Sequence, residues 1–279
     1  MKKTLSFLLI FCFTISFGQN KIDKSKKELT AKEGVKNTSR PNSNCSSSKS
    51  SSEIGNSFFG EIAVEIFMYA TYGVFKYGFI GDYSNENHLQ SSLTKYPFYN
   101  EKSGNYKGVE SDSVKNSLMR FDFENSFIYS SNDLFGNHLK AKIRPFQYFY
   151  LQSDFHQLYE FDKIENTNSR LSLFHFNLSY DRIRFEKFNL GWTLGASYVG
   201  NEVKKAGFSY GLNAEYFIGN HISFMASGKW SKINMQPVNA FELQSKFHRK
   251  TYFFLLGFEH LKIATPSYNF ISLGGGIYF

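Results

Sequence analysis

The sequence is poor in cysteine, proline and tryptophan, and it has no long uncharged apolar run beyond its first twenty residues. Cysteine stands only at 12 and 45, and Cys12 lies in the N-terminal leader. The remaining chain therefore has one thiol and no internal disulfide, and Cys45 is too isolated for a zinc site. A helical membrane protein needs about 20 consecutive apolar residues per span. The nearest approach, residues 58–80, is broken by Glu61, Glu65 and Lys76. Each carboxylate in hydrocarbon would cost about 2.5–3.5 kcal/mol, so a spanning helix is not expected there. Charge of one sign is also missing from the body of the chain. Of the formal net +8, the leader holds +2 and residues 21–57 hold +4. The rest carries only +2, which gives no basic face for nucleic acid.

What is present is aromatic residues, 32 Phe and 18 Tyr, with a negative mean hydropathy. The two facts agree if apolar residues are spent on alternate positions, as a strand with two unlike faces requires. Phe188, Leu190, Trp192, Leu194, Ala196 and Tyr198 alternate with Asn189, Gly191, Thr193, Gly195 and Ser197. Phe208, Tyr210, Leu212, Ala214 and Tyr216 do the same against Ser209, Gly211, Asn213 and Glu215. The polar face carries glycines and hydroxyls, which suits a narrow lumen better than a soluble sheet's outer face. The reading is all-β: an antiparallel transmembrane β-barrel of about ten strands, with twelve as the alternative.

The chain divides into four parts. Residues 1–18 have the form of a signal peptide: Lys2 and Lys3, an apolar core from Leu5 to Phe17, and small Ser16 and Gly18 before the cut. Residues 19–56 are Lys-, Ser- and Asn-rich and read as a disordered tail. Residues 57–117 combine an apolar stretch over 58–80 with an irregular connection; the stretch reads as a short helix with Phe59, Ile62, Ile66 and Tyr69 on one face, or as a strand in which Ile62, Val64, Ile66 and Met68 alternate with Glu61, Ala63 and Glu65. In the connection Asp82, Glu86 and His88 read as solvated loop residues, and no metal site is expected. Residues 118–279 read as the barrel. Strands are placed near 118–130, 137–144, 147–160, 169–181, 187–200, 204–218, 221–233, 237–247, 250–261 and 267–279. Pro145, Pro237 and Pro266 fall at strand ends, where a missing donor costs least.

The last strand is the most specific feature. Ile271, Leu273, Ile277 and terminal Phe279 alternate with Ser272, Gly274 and Gly276. This resembles the C-terminal strand of small Gram-negative outer-membrane barrels, and the leader ending Ser-Phe-Gly-Gln looks like those of Bacteroidetes secreted proteins. The resemblance covers the leader and about residues 118–279. It implies an outer-membrane address, contact with outer-membrane lipid, and recognition by the barrel-assembly machinery through Ile277 and Phe279. It implies nothing about activity residue by residue.

With the apolar set facing lipid, the lumen receives Arg120, Asp122, Glu124, Asp154, His156, His175, Glu215, Lys229, Glu242 and Lys246, together with Lys140, Lys142, Arg144, Tyr148, Tyr150 and Asn177. Both signs are present, so a narrow barrel would pair these groups and be filled. Templates for barrel enzymes fit poorly. His260-Leu261-Lys262 has lysine where lipid A deacylase barrels carry serine. Asp154 and His156 share a strand face as in omptin-like proteases, but no second acidic pair accompanies them. No catalytic, cofactor or metal residues are assigned. The reading is a non-enzymatic, structural or binding, porin-like barrel with a mainly filled polar lumen. The alternatives are a barrel hydrolase acting on lipid or peptide, and a soluble secreted β-protein.

Overall fold

A computed structural model describes residues 20–31, 68–99, 104–108, 119–131, 133–162 and 167–279. The leader, most of the Ser-rich segment with Cys45, and residues 58–67 lie outside the described residues. A closed barrel of ten strands dominates the fold. Its strands are β3 (Arg120–Ser131), β4 (Leu134–Arg144), β5 (Phe149–Asp162), β6 (Thr167–Arg184), β7 (Phe188–Val199), β8 (Lys205–Ile218), β9 (Ile222–Ile233), β10 (Gln236–Arg249), β11 (Tyr252–Ile263) and β12 (Ser267–Tyr278). Each pairs antiparallel with the next, and β12 closes onto β3, with Ile277 opposite Phe123. Closure leaves no edge strand, the condition under which a sheet can live in hydrocarbon. Strands of 11 to 18 residues are long enough to cross it. Twelve residues extend ~40 Å, which a tilt of about 40° reduces to ~30 Å of height.

The ladder is assembled from short connections. The link between β9 and β10 is Asn234-Met235, both at positive φ (50° and 63°), the geometry of a two-residue hairpin turn. Gly219, at φ +60°, turns β8 into β9. One strand contact tolerates only glycine: a Cβ on Gly195 would lie 1.9 Å from the Phe176 carbonyl oxygen. Links at the two ends are similarly brief, so the long outer loops expected of such barrels are absent among the described residues.

Side chains are distributed inside out. Phe208 and Leu273 are each 65% exposed on the outer wall, while Arg120 and Lys140 inside are 1% and 2% exposed. Burying that outer belt in water-free surroundings is worth about 25 cal/mol per Å², and only lipid can supply it around the full circumference. The exterior is that of a transmembrane barrel, and it removes the reading as a soluble protein with an apolar interior.

Two further pieces occupy the mouths. The end holding Arg120 and Tyr278 is called the near end here, and the other the far end. At the far end lies α1 (Lys21–Thr30), inside the segment expected to be disordered. Its stripe is thin: Ile22, Ser25, Lys26 and Leu29 are buried. Such a helix is marginal alone and forms because the barrel completes it. Asn20 gives no side-chain cap. The Glu160 carboxylate instead accepts from the backbone N–H of Lys21 at 3.0 Å and of Ile22 at 2.7 Å. It thus meets the positive helix end with a negative charge. Asn234 closes the other end, donating to the carbonyls of Leu29 and Ala31, both at 2.9 Å.

At the near end, residues 82–99 and 104–107 form a polar plug around a two-stranded sheet of β1 (Ser92–Leu93) and β2 (Tyr106–Lys107). Before it, residues 68–73 form an α-helix that continues through the wider turns of Val74–Ile80. The helix expected over 58–80 is thus present in its described part. It lies outside the barrel: Phe79 packs edge-on to Trp192, and Arg182 donates to the carbonyls of Tyr77 and Gly78. Met68, Tyr69, Tyr72 and Phe75 stay exposed. No described helix is long and apolar enough to cross a membrane.

Candidate functional site

Polar groups on the inward face stack in three layers. At the near mouth, Arg120 donates to Asp122 at 2.7 and 2.9 Å, and reaches the plug through Thr94 O and Asn105 Oδ1. Asn105 in turn donates to Glu215 at 2.8 Å. Asp181 accepts from Tyr106 Oη at 2.6 Å and Arg144 at 2.9 Å. Arg184 lies over the Tyr148 ring at 3.7 Å and reaches the Leu89 carbonyl. Outside this mouth, Arg182 pairs with Glu86 at 2.8 Å, and that bond holds Glu86 below the usual carboxylate range. Asp82 is lowered mainly by its bond from Asn85, and burial against the Phe185 ring lowers His88. These three are structural loop groups.

The middle layer is ionic. Lys246 meets Glu124 at 2.7 Å, Lys140 meets Glu242 at 2.6 Å, and Lys229 meets Asp154 at 2.9 Å. Gln244 adds a second donor to Glu124, at 2.9 Å. Glu259 accepts from two rings, His138 Nδ1 at 3.1 Å and His156 Nε2 at 3.3 Å. The His138 and His156 rings stack with centroids 3.7 Å apart, and His175 stands edge-on to His156 with Nδ1 2.6 Å from Ser197. At the far end the lining turns apolar, with Ile128, Leu158, Leu173 and Leu261 packed under Ile22 and Leu29 of α1.

Each of the ten candidate lumen residues therefore points inward, and the middle layer joins Glu124, Asp154, His156, Lys229, Glu242 and Lys246. Arg120, Asp122 and Glu215 belong instead to the near layer, and His175 lies at the side. Lys142 sits over the Tyr150 ring at 5.7 Å. Sequence reasoning missed His138 and Glu259, two members of the central cluster. His138 has the parity of Lys140 and lies within the strand expected at 137–144, so parity alone would have given it. Glu259 gave no signal, because both faces of β11 are apolar: Phe253, Leu255 and Leu261 inside, Tyr252, Phe254 and Leu256 outside.

Chemically, the lumen can hold protons and cations. Asp154 and His156 are completely buried and engaged, well away from either rim, where a protease-like pair would have to work. Ser223 sits 2.8 Å from His248 Nε2 but also donates to Glu215 at 3.0 Å, and Phe98 and Phe217 cover the pair. Ile277 lies at the closing seam, and Phe279 faces outward, 70% exposed, exchanging backbone bonds with Phe121 at 2.8 and 3.1 Å.

No protein-family model matches the sequence, and no curated protein matches it. Among solved structures, the chain is similar to an outer-membrane channel from Pseudomonas putida F1, at 8% identity and a TM-score of 0.38, over 61% of this chain and all of that one. It is also similar to Ail of Yersinia pestis in a phospholipid nanodisc, at 12% identity and TM-score 0.35, over 58% of this chain and all of that one. For the outer-membrane protein OprG of Pseudomonas aeruginosa the figures are 9%, 0.32, 58% and 97%. Likenesses this distant say nothing about activity.

Proposed function

We propose that this protein is an integral outer-membrane barrel, delivered by a cleaved signal peptide, that acts as a closed structural or binding element and performs no catalysis. The observation that supports a closed lumen is how little space its charged groups leave toward the near end. The cavity among Arg120, Glu124, Lys140, Glu215 and Lys246 measures about 20 Å³, room for about one water. A diffusion pore needs a continuous water column, and here lysine–carboxylate pairs cross the lumen instead. The apolar belt supports the membrane partner. With the near end toward the periplasm, Ile277 and Phe279 stand where the assembly machinery would read them.

The test is a planar-bilayer recording of the refolded protein. The reading predicts no stable conductance above the bare bilayer. A steady, salt-proportional single-channel current would replace it with a porin function.

A further inference from the structure

The middle layer brings a histidine pair and a glutamate pair to one point. On one wall His138 of β4 lies directly opposite His156 of β5. On the facing wall Glu242 of β10 lies directly opposite Glu259 of β11. Like charges in directly opposed positions destabilise a sheet, so the two glutamates call for a cation between them. One ligand atom from each of the four side chains lies within 4.8 Å of the others, and all four are buried. We propose that this quartet is a metal site for a divalent first-row transition cation, with Zn²⁺ the foremost candidate.

Three observations favour an ion there. The donor set, two imidazole nitrogens and two carboxylate oxygens, suits a borderline cation in a tetrahedral field. His138 Nε2 and Glu242 Oε1 face one another at 3.7 Å without a hydrogen bond, though both side chains are 1% exposed or less; Asp154 Oδ1 stands 3.5 Å from the first and Lys229 Nζ 4.0 Å from the second. Buried polar atoms are rarely left so without a ligand to serve. The charge count agrees. Four buried carboxylates, Glu124, Asp154, Glu242 and Glu259, face three buried lysines, 140, 229 and 246. The remaining single negative charge is balanced either by a proton on one histidine or by a bound cation.

Metal–ligand bonds of about 2.0–2.2 Å place tetrahedral ligands ~3.4 Å apart, so the four groups draw in by roughly 1 Å on binding. Lys140 would position Glu242 from outside the quartet by holding its other oxygen at 2.6 Å. Asp154, 3.5 Å from His138 Nε2, is held by Lys229 and Gln152 and stays outside. His175 is the natural control: it touches His156 edge-on but belongs to no ligand pair.

The experiment is to refold the chain from urea into detergent with equimolar Co²⁺ or Zn²⁺, desalt, and measure retained metal and the visible Co²⁺ spectrum. Folding is checked separately by heat-modifiable gel mobility. Wild type should retain one equivalent per chain with the intense spectrum of tetrahedral Co²⁺. His156→Gln and Glu259→Gln should each weaken retention at least about tenfold. His175→Gln should leave it unchanged. Folded wild type that emerges without metal, or with the pale spectrum of octahedral Co²⁺, would overturn the site, and so would folded variants that retain metal like wild type. Stoichiometry and spectrum are read without current, so this outcome is separate from that of the bilayer recording.

Discussion

At the residue scale, the interior is governed by pairing. A buried ion pair contributes little over well-packed apolar residues, but breaking one strands a charge. Asp154→Ala should therefore destabilise the barrel by about 3–5 kcal/mol, since Lys229 loses its 2.9 Å partner. The double variant Asp154→Leu/Lys229→Met should recover most of that loss. Urea unfolding followed by tryptophan fluorescence measures both, and equal loss in the two variants would contradict the pairing argument. Backbone crowding makes a second prediction. Gly195→Ala should cost about 1–3 kcal/mol in the same assay, because its Cβ meets the Phe176 carbonyl, which cannot rotate away.

The elements differ in what holds them. The ten strands rest on cross-strand ladders and the apolar-out, polar-in pattern, and this is why they were legible: period two is written directly in residues such as 206–216. The turn at Asn234-Met235 fell where the sequence placed it, but other strand ends shifted by a few residues: β4 begins at Leu134 rather than near 137, and β6 runs on to Arg184 rather than ending near 181. By contrast α1 was hidden. Ile22 and Leu29 are its only large apolar contacts, and its N-terminal cap, Glu160, lies about 140 residues away along the chain. The same distance in sequence concealed the meeting of Glu259 with His138. Parity assigns a residue to a face, but only the closed register says which face it meets across the lumen. Because α1 depends on two side chains, Leu29→Ala should expose residues 20–31 to proteolysis while the barrel keeps its heat-modifiable mobility.

The near-end segment depends on a different contact, the Arg182–Glu86 pair. The folded pKa of Glu86 lies below its ordinary value, so the stabilisation is full above the ordinary carboxylate range. It is lost as pH falls through the lowered folded value. The hydrogen-exchange protection factors of residues 77–90, which remove the intrinsic pH dependence of exchange, should therefore fall on acidification in wild type. In Glu86→Gln they should already be low at neutral pH and change little on acidification.

For the whole molecule, three barriers lie in series along the axis: the plug of residues 82–99 and 104–107, the ionic layer, and the apolar layer under α1. Removing α1 alone should not open a conducting path, because the ionic layer still spans the lumen. The fold is thus a membrane-facing cylinder built around largely paired charges, and among the described residues the links between its strands are short. The measurement that tests this inside-out arrangement most directly is site-directed spin labelling along β8, in a Cys45→Ser background, with collision by oxygen and by a water-soluble nickel chelate. Labels replacing Phe208, Tyr210 and Leu212 should collide freely with oxygen and hardly with nickel, while labels replacing Ser209 and Asn213 should be shielded from both. Nickel accessibility at 208, 210 and 212 equal to that of a surface loop would show the aromatic wall in water and contradict the account.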